Sequence, residues 1–216
     1  MFENVKAIVF DLDGTLLDTL QDLTNAVNYA LKKNGLAERT IEEVRNFVGN
    51  GVELLMIRAV PGGRENPVFL AAFADFKEYY AIHCKDNTKP YQDVWKLMAK
   101  LQERGICMAI VSNKIDFAVK ELNEEFFAQY TSAAIGEMEG VKRKPSPDTV
   151  NKALEQIGIP REAAVYVGDS DVDIETAANA GIPCVSVTWG FRSREFLQAH
   201  HAQHIIDTPM ELLDIL

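Results

Sequence analysis

The chain has 216 residues, of which 47% are hydrophobic and 25% are charged. These values are typical of a globular protein with a full apolar core, and they exclude intrinsic disorder, collagen-like chains and coiled-coil rods. Asp and Glu number 32 against 22 Lys and Arg, which gives a net charge of −10. We therefore expect binding to neither nucleic acid nor an anionic membrane surface, because both favour a basic protein surface.

The three cysteines, Cys84, Cys107 and Cys184, are widely separated and form no C-x-x-C pair. They predict neither a disulfide framework nor a zinc site. The first residues lack the charged segment followed by an apolar segment that marks a secretory signal. No window approaches the roughly 20 apolar residues that span a bilayer. We expect a cytoplasmic protein.

Five short apolar runs predict the strands of a parallel sheet that is buried on both faces. The runs are Lys6–Phe10, Ile106–Val111, Thr131–Ile135, Ala163–Val167 and Pro183–Val187. Helical segments lie between them, including one that Ser146 is expected to cap and that stops at Gly158. This alternation indicates βαβ units, and hence an α/β fold with a doubly wound, Rossmann-like parallel sheet. In such sheets ligands bind at the carboxyl ends of the strands.

The segment between the first two predicted strands has no strand pattern. Apolar residues recur at helical spacing over Leu20–Leu31, and Thr40–Glu43 has the form of a capping box that opens another helix. A stretch of roughly 70 residues is too long for a loop. We therefore predict a catalytic core, residues 1–14 and 87–216, that carries an inserted α-helical cap domain, residues 15–86.

Polar residues follow the predicted strands at the edge where a ligand is expected. Asp11-Leu12-Asp13-Gly14-Thr15 follows the first strand, Ser112-Asn113-Lys114 the second, and Gly168-Asp169-Ser170-Asp171-Val172-Asp173 the fourth, while Lys144 lies after the third. Clustered carboxylates repel one another unless a cation offsets their charge. Mg²⁺ suits such a place, because it binds carboxylates together with water and substrate phosphate. A lysine and a Ser/Asn pair would hold an anionic phosphoryl group.

The order of these motifs resembles the haloacid dehalogenase superfamily, in which D-x-D-G-T is followed by Ser or Thr, then Lys, then G-D-x-x-x-D. All four motifs are present here. The helical insertion after the first motif is similar to the small helical cap of that family, so the resemblance covers the whole chain. It implies a Mg²⁺-dependent phosphatase that acts on a small phosphorylated metabolite through an aspartyl phosphate.

The resemblance also implies a role for each motif residue. Asp11 would be the nucleophile, and Asp13 would be the general acid that protonates the leaving alcohol and then the base that activates water. Ser112, Asn113 and Lys144 would bind the phosphoryl group, and Lys144 would also pair with Asp11. The Mg²⁺ ligands would be Asp11, the main-chain carbonyl of Asp13, Asp169 and, through water, Asp173.

Gly49, Asn50 and Gly51 form the candidate specificity loop of the predicted cap, because two glycines let the backbone approach a ligand closely. A plain connection between helices is the alternative. The loop contains no basic residue, which argues against a hexose-phosphate mutase that must hold a second phosphate. Arg45 and Arg58 flank the loop and leave that activity open.

Within the family, the chain most resembles phosphoglycolate phosphatases, so 2-phosphoglycolate is the expected substrate. The resemblance is carried by Asp18-Thr19, Phe47–Val52, Lys144–Asp148, Thr188–Arg192 and His204–Asp207. Pyrophosphate hydrolysis, sugar-phosphate hydrolysis, phosphoryl transfer to a sugar and a non-catalytic metabolite-binding role remain alternatives. We expect a monomer or a homodimer.

Overall fold

The computed structural model describes residues 2–216, which divide into two compact units. Unit 1 contains the residues up to Leu17 and Pro90–Leu216, and unit 2 is Asp18–Lys89. Both borders lie three residues later than the sequence boundaries after residues 14 and 86. Leu16 and Leu17 belong to the apolar core of unit 1, and the residues just before the second border bind a buried side chain of unit 2.

Within residues 2–216, six of the eight strands form one sheet, and the other two lie where the chain passes from one unit to the other. The strands are β1 (Ala7–Phe10), β2 (Leu17–Asp18), β3 (Lys89–Pro90), β4 (Cys107–Ile115), β5 (Ala133–Glu137), β6 (Ala164–Gly168), β7 (Cys184–Val187) and β8 (His204–Ile206). The sheet has the order β5-β4-β1-β6-β7-β8, and its paired strands are parallel. This confirms the predicted α/β class and parallel sheet.

The register explains why one edge of the sheet collects the motif residues. Phe10 lies beside Ile110 of β4 and Val167 of β6. The residues that come after these three aligned positions therefore lie towards the same edge of the sheet. Alternate residues of β1 face opposite sides, because Ile8 packs in one buried apolar cluster and Val9 in another. The sheet is thus covered on both faces, as its nearly continuous apolar strands predict.

Unit 2 is helical. Its helices are α1 (Leu20–Lys33), α2 (Ile41–Phe47), α3 (Val52–Ala59) and α4 (Phe69–His83). The capping box predicted at Thr40–Glu43 is present, since Thr40 Oγ1 accepts from the Glu43 N–H and the Glu43 carboxylate accepts from the Thr40 N–H.

The described part of unit 1 carries six further α-helices. They are α5 (Val94–Glu103), α6 (Asp116–Phe126), α7 (Asp148–Ile157), α8 (Asp171–Ala180), α9 (Arg194–Ala199) and α10 (Leu212–Ile215). The prediction that Ser146 caps α7 is wrong, because its hydroxyl donates instead to Asp148 Oδ1 at 2.6 Å. Within residues 2–216, no helix combines the length and apolarity required to cross a membrane.

A buried carboxylate fixes the end of unit 2. Asp22 of α1 is 1% exposed. It accepts hydrogen bonds from the main-chain N–H of Asn87 at 2.9 and 3.0 Å and from that of Thr88 at 2.8 Å. The side chains of both residues donate to it as well, each at 2.8 Å. Asn87 and Thr88 are therefore part of unit 2, although the sequence boundary places them in the core.

We expect Asp22→Ala to lower the free energy of unfolding by about 2–4 kcal/mol, because it leaves several buried donors without an acceptor. Urea denaturation measures this change. The control is Glu38→Ala, which removes an exposed carboxylate of the same unit that lies 3.9 Å from Lys32. It should cost less than about 0.5 kcal/mol. Equal losses in the two variants would contradict the role given to Asp22.

Candidate active site

Three buried carboxylates meet at the carboxyl edge of the sheet. Asp11 follows β1, Asp169 follows β6, and Asp173 lies in the first turn of α8. One carboxylate oxygen of each lies within 4.8 Å of those of the other two. Their residues are 8%, 2% and 0% exposed. So much negative charge in so little water requires positive charge nearby.

Lys144 supplies part of that charge from the segment after β5. Its Nζ lies 2.8 Å from Asp11 Oδ1 and 2.8 Å from Asp173 Oδ1. It also donates to the Tyr166 hydroxyl at 3.0 Å, and that hydroxyl donates to Asp173 Oδ1 at 2.9 Å. Burial alone lowers the pKa of Lys144, but the charges of Asp11 and Asp173 outweigh burial and raise it. Lys144 is therefore a fixed cation at the centre of the acidic cluster.

The three carboxylates differ in pKa. Burial and repulsion by Asp173 raise the pKa of Asp11 well above its usual range and that of Asp169 to about 7. Burial acts on Asp173 in the same direction, but the charge and hydrogen bonds of Lys144 outweigh it and lower the pKa of Asp173. One carboxylate is thus firmly ionised, and two are held back from ionisation unless more positive charge is present.

The cluster fits a hard divalent cation, because its donors are carboxylate oxygens with an unbalanced negative charge. Asp173 engages Oδ1 with Lys144 and Tyr166, and Oδ2 with the N–H and hydroxyl of Ser170 at 3.1 and 2.6 Å. Both carboxylate oxygens of Asp173 are thus already hydrogen-bonded, and the water-mediated metal contact that the resemblance implies for Asp173 stays a prediction. Asp169 is oriented by the Phe191 N–H, which donates to its Oδ2 at 2.7 Å.

Two glycines bring main chain against Asp169. At Gly14, where φ is +87°, a Cβ would lie 2.6 Å from Asp169 Oδ2. At Gly190, a Cβ would overlap the Asp169 side chain and the Gly14 carbonyl oxygen. Gly14 belongs to the first motif, whereas Gly190 was not predicted as a site residue.

The Asp13 carboxylate is paired with a second lysine, Lys114. Lys114 Nζ donates to both carboxylate oxygens of Asp13, at 2.8 and 3.1 Å. Among residues 2–216, the acidic cluster that could hold a metal ion includes Asp11 and the two aspartates of the fourth motif, but not the Asp13 side chain. The role predicted for the Asp13 main-chain carbonyl as a metal ligand stays a prediction.

Ser112 and Asn113 lie in the last part of β4. Ser112 Oγ accepts from the Lys114 N–H at 3.1 Å. Asn113 Nδ2 donates to the Lys144 carbonyl at 3.0 Å, and Asn113 Oδ1 accepts from the Lys144 N–H at 2.7 Å. Asn113 therefore holds the Lys144 main chain in place. Direct contact of Ser112 or Asn113 with a substrate stays a prediction.

Gly49, Asn50 and Gly51 lie together in unit 2, immediately before α3. The glycines have φ angles of 120° and 84°, a region that favours glycine. The guanidinium of Arg58 donates to the Phe47 carbonyl at 2.6 Å and to Asn50 Oδ1 at 2.8 Å. Arg58, whose role the sequence leaves open, is thus engaged with the loop itself.

Two further residues of the site were given no role by the sequence. Lys114 directly follows Ser112-Asn113, and its position near the end of a predicted strand is the sequence feature that could have indicated a role in the site. Tyr166 lies inside an apolar strand and is fully buried. From sequence alone it cannot be told from a core residue.

Comparison with known proteins identifies the family of this chain. The profile of the haloacid dehalogenase-like hydrolases matches residues 8–187. A phosphoglycolate phosphatase from Aliivibrio fischeri is 31% identical, over 100% of this chain and 98% of its own. A Caldanaerobacter subterraneus protein assigned as a pyrophosphatase is 34% identical, over 98% and 94%. A crystal structure from Lactobacillus delbrueckii, assigned as a phosphoglycolate phosphatase, is 38% identical with a TM-score of 0.94, over 98% of each chain.

The chain therefore belongs to the haloacid dehalogenase-like hydrolase family. The predicted family and the predicted enzyme class, a hydrolase of the phosphatase kind, are confirmed.

The raised pKa of Asp169 predicts a pH-dependent stability. The folded protein keeps this proton to about pH 7, whereas an aspartate ordinarily loses it near 3.8. Between these values the folded state binds more protons than the unfolded state, so this group makes the free energy of unfolding fall as pH rises. Without divalent cations, Asp169→Asn should gain stability relative to the unsubstituted protein by up to about 1.4 kcal/mol per pH unit between about pH 5 and pH 7.

Urea denaturation in the presence of EDTA at several pH values measures this difference. The matched control is Asp171→Asn at the first residue of α8, which removes one carboxylate close in sequence to Asp169 and leaves Asp169 in place. A flat difference for Asp169→Asn would show that Asp169 is already ionised in the folded protein at low pH.

Proposed function

We propose that the chain is a Mg²⁺-dependent phosphomonoester hydrolase that acts on a small phosphorylated metabolite through an aspartyl phosphate at Asp11, with 2-phosphoglycolate as its substrate. The observation that carries the proposal is the buried contact of Lys144 with Asp11 and Asp173 beside Asp169. This contact places a carboxylate, a fixed cation and a candidate metal site at one point of the sheet edge.

Asp11 is suited to attack phosphorus. Its Oδ1 accepts from the Leu12 N–H at 2.7 Å and lies 2.8 Å from Lys144 Nζ, so the carboxylate is held in one orientation. A bond forms between a carboxylate oxygen of Asp11 and phosphorus, and the bond from phosphorus to the ester oxygen breaks. Asp13 gives a proton to the departing alcohol.

The second step returns Asp11 to its free state. Asp13, now a carboxylate, takes a proton from the water that attacks the phosphorus of the aspartyl phosphate. The bond from phosphorus to Asp11 breaks, and inorganic phosphate is released. Ser112 and Lys144 hold the phosphoryl oxygens in both steps, so catalysis consists mainly of positioning and charge stabilisation.

Mg²⁺ would be held by Asp11, Asp169 and the main-chain carbonyl of Asp13, with Asp173 acting through water. When bound, it offsets the charge of the carboxylates and of the phosphoryl group. Lys144 remains between Asp11 and Asp173 and supplies the positive charge that the acidic surface of this protein does not.

The substrate assignment rests on the loop Gly49–Gly51 and on the relatives. The loop has no basic side chain, and Arg58 is engaged with Phe47 and Asn50. This supports a phosphatase rather than a hexose-phosphate mutase, which must hold a second, distal phosphate. Relatives of similar identity are described as acting on phosphoglycolate or on pyrophosphate. Pyrophosphate is therefore the second candidate substrate.

The cytoplasmic location and the oligomeric state, a monomer or a homodimer, stay predictions.

The first test is phosphate release from 2-phosphoglycolate, pyrophosphate, hexose phosphates and nucleotides, with and without Mg²⁺. We expect Mg²⁺-dependent release, strongest with 2-phosphoglycolate, and its loss in Asp11→Asn, which removes the nucleophile. Asp171→Asn, at an aspartate with no proposed contact to the substrate, should keep the activity. Full activity of Asp11→Asn would refute the covalent route, and no release from any ester would refute the hydrolase assignment.

A second test addresses the loop. Arg58→Met removes the hydrogen bonds that order Phe47–Gly51, and ordering such a segment on binding costs about 1 kcal/mol, so we expect KM for the preferred ester to rise about 5- to 10-fold. The value of kcat should change little. Lys32→Met, at an exposed lysine of the same unit, is the control. An unchanged KM in Arg58→Met would show that the loop does not bind the substrate.

A further inference from the structure

We propose that Lys114 is a positioning residue of the reaction, which holds the carboxylate of Asp13 in the orientation needed to take a proton from the attacking water. The inference rests on the acid–base role that the proposed function gives to Asp13. It adds a residue to which the sequence analysis gave no role.

The contact is buried and involves both oxygens of Asp13. Lys114 Nζ lies 2.8 Å from Oδ1 and 3.1 Å from Oδ2. The Lys114 side chain is 2% exposed and that of Asp13 is 15% exposed. A two-point contact restricts rotation of the carboxylate more than a single hydrogen bond does. Because water is largely excluded, the ion pair is screened far less than a surface pair.

Lys114 is itself well anchored. It lies in β4, which pairs with β1 so that Ile110 is beside Phe10. Lys114 and Asp13 therefore follow adjacent points of neighbouring strands. The Lys114 N–H donates to Ser112 Oγ, which ties the lysine to a predicted phosphoryl-binding residue. A lysine that is anchored in this way can fix the position of the carboxylate that it contacts.

The charges of the site explain why a second lysine is needed. The cluster of three carboxylates does not include the Asp13 side chain, and Lys144 contacts two of its members, Asp11 and Asp173. The Asp13 carboxylate is paired with a different cation, Lys114. Lys144 therefore contacts the proposed nucleophile Asp11, and Lys114 contacts the proposed acid–base residue Asp13.

A double-mutant cycle on the full chain with Mg²⁺ and the preferred ester tests this role. We expect Lys114→Met to lower kcat about 10- to 100-fold, since misplacement of a catalytic group has costs of this order. We expect KM to change less than about 3-fold, because uniform substrate binding is not affected. Lys114→Arg, which keeps the charge, should recover part of kcat.

The cycle is completed in the Asp13→Asn background. If Lys114 acts through Asp13, Lys114→Met should cause no further loss there, because residues that act as a unit are not additive. Lys120→Met, at an exposed lysine of α6 that pairs with Asp116, is the control and should leave kcat unchanged. Thermal melting establishes that each variant is folded, and Lys114→Gln replaces Lys114→Met if the latter does not fold.

Three results would overturn the inference. If Lys114→Met lowered kcat by the same factor in the unsubstituted protein and in Asp13→Asn, Lys114 would act independently of Asp13. A rise in KM with unchanged kcat would make Lys114 a phosphoryl-binding residue. Turnover of Asp13→Asn equal to that of the unsubstituted protein would refute the acid–base role of Asp13, and this outcome separates failure of the proposed function from failure of the inference.

Discussion

The site depends on one buried ammonium group. Lys144 lies 2.8 Å from a carboxylate oxygen of both Asp11 and Asp173, in a place where the residues are almost free of solvent. Without it, three carboxylates would share a site with no fixed positive charge, and each would favour its neutral form. Asn113 holds the main chain of Lys144, and Tyr166 contacts its ammonium group. The parallel sheet matters because it delivers all of these residues to one edge.

Charge compensation at this edge is local and divided. Lys144 neutralises part of the acidic cluster, Lys114 is paired with Asp13, and a further deficit of positive charge remains at Asp11 and Asp169, whose pKa values are raised. That deficit is what a divalent cation would fill. A protein with a net charge of −10 would in this way bind the proposed anionic substrate, because the positive charge lies beside the proposed nucleophile.

Much of this arrangement is predictable from sequence, for physical reasons. Strands buried on both faces give continuous apolar runs, and parallel strands share a carboxyl edge, so the meeting of Asp11 and Asp169 follows from the pattern. The partners of the motif residues do not follow. Tyr166 reads as a core residue, and the pairing of Lys114 with Asp13 depends on register. Strand β8 has only three residues and gives no clear periodic signal.

Trapping the covalent intermediate is the strongest test of the proposal that Asp11 attacks phosphorus and forms an aspartyl phosphate. The protein would be mixed with Mg²⁺ and acetyl phosphate, whose leaving group needs little help from an acid, and quenched in acid within milliseconds. Peptide mass spectrometry would then locate the phosphoryl group. We expect a hydroxylamine-sensitive phosphoryl group on the peptide that contains Asp11, and no such group in Asp11→Asn. Rapid hydrolysis with a phosphoryl group on another residue, or with no phosphorylated peptide at all, would contradict it.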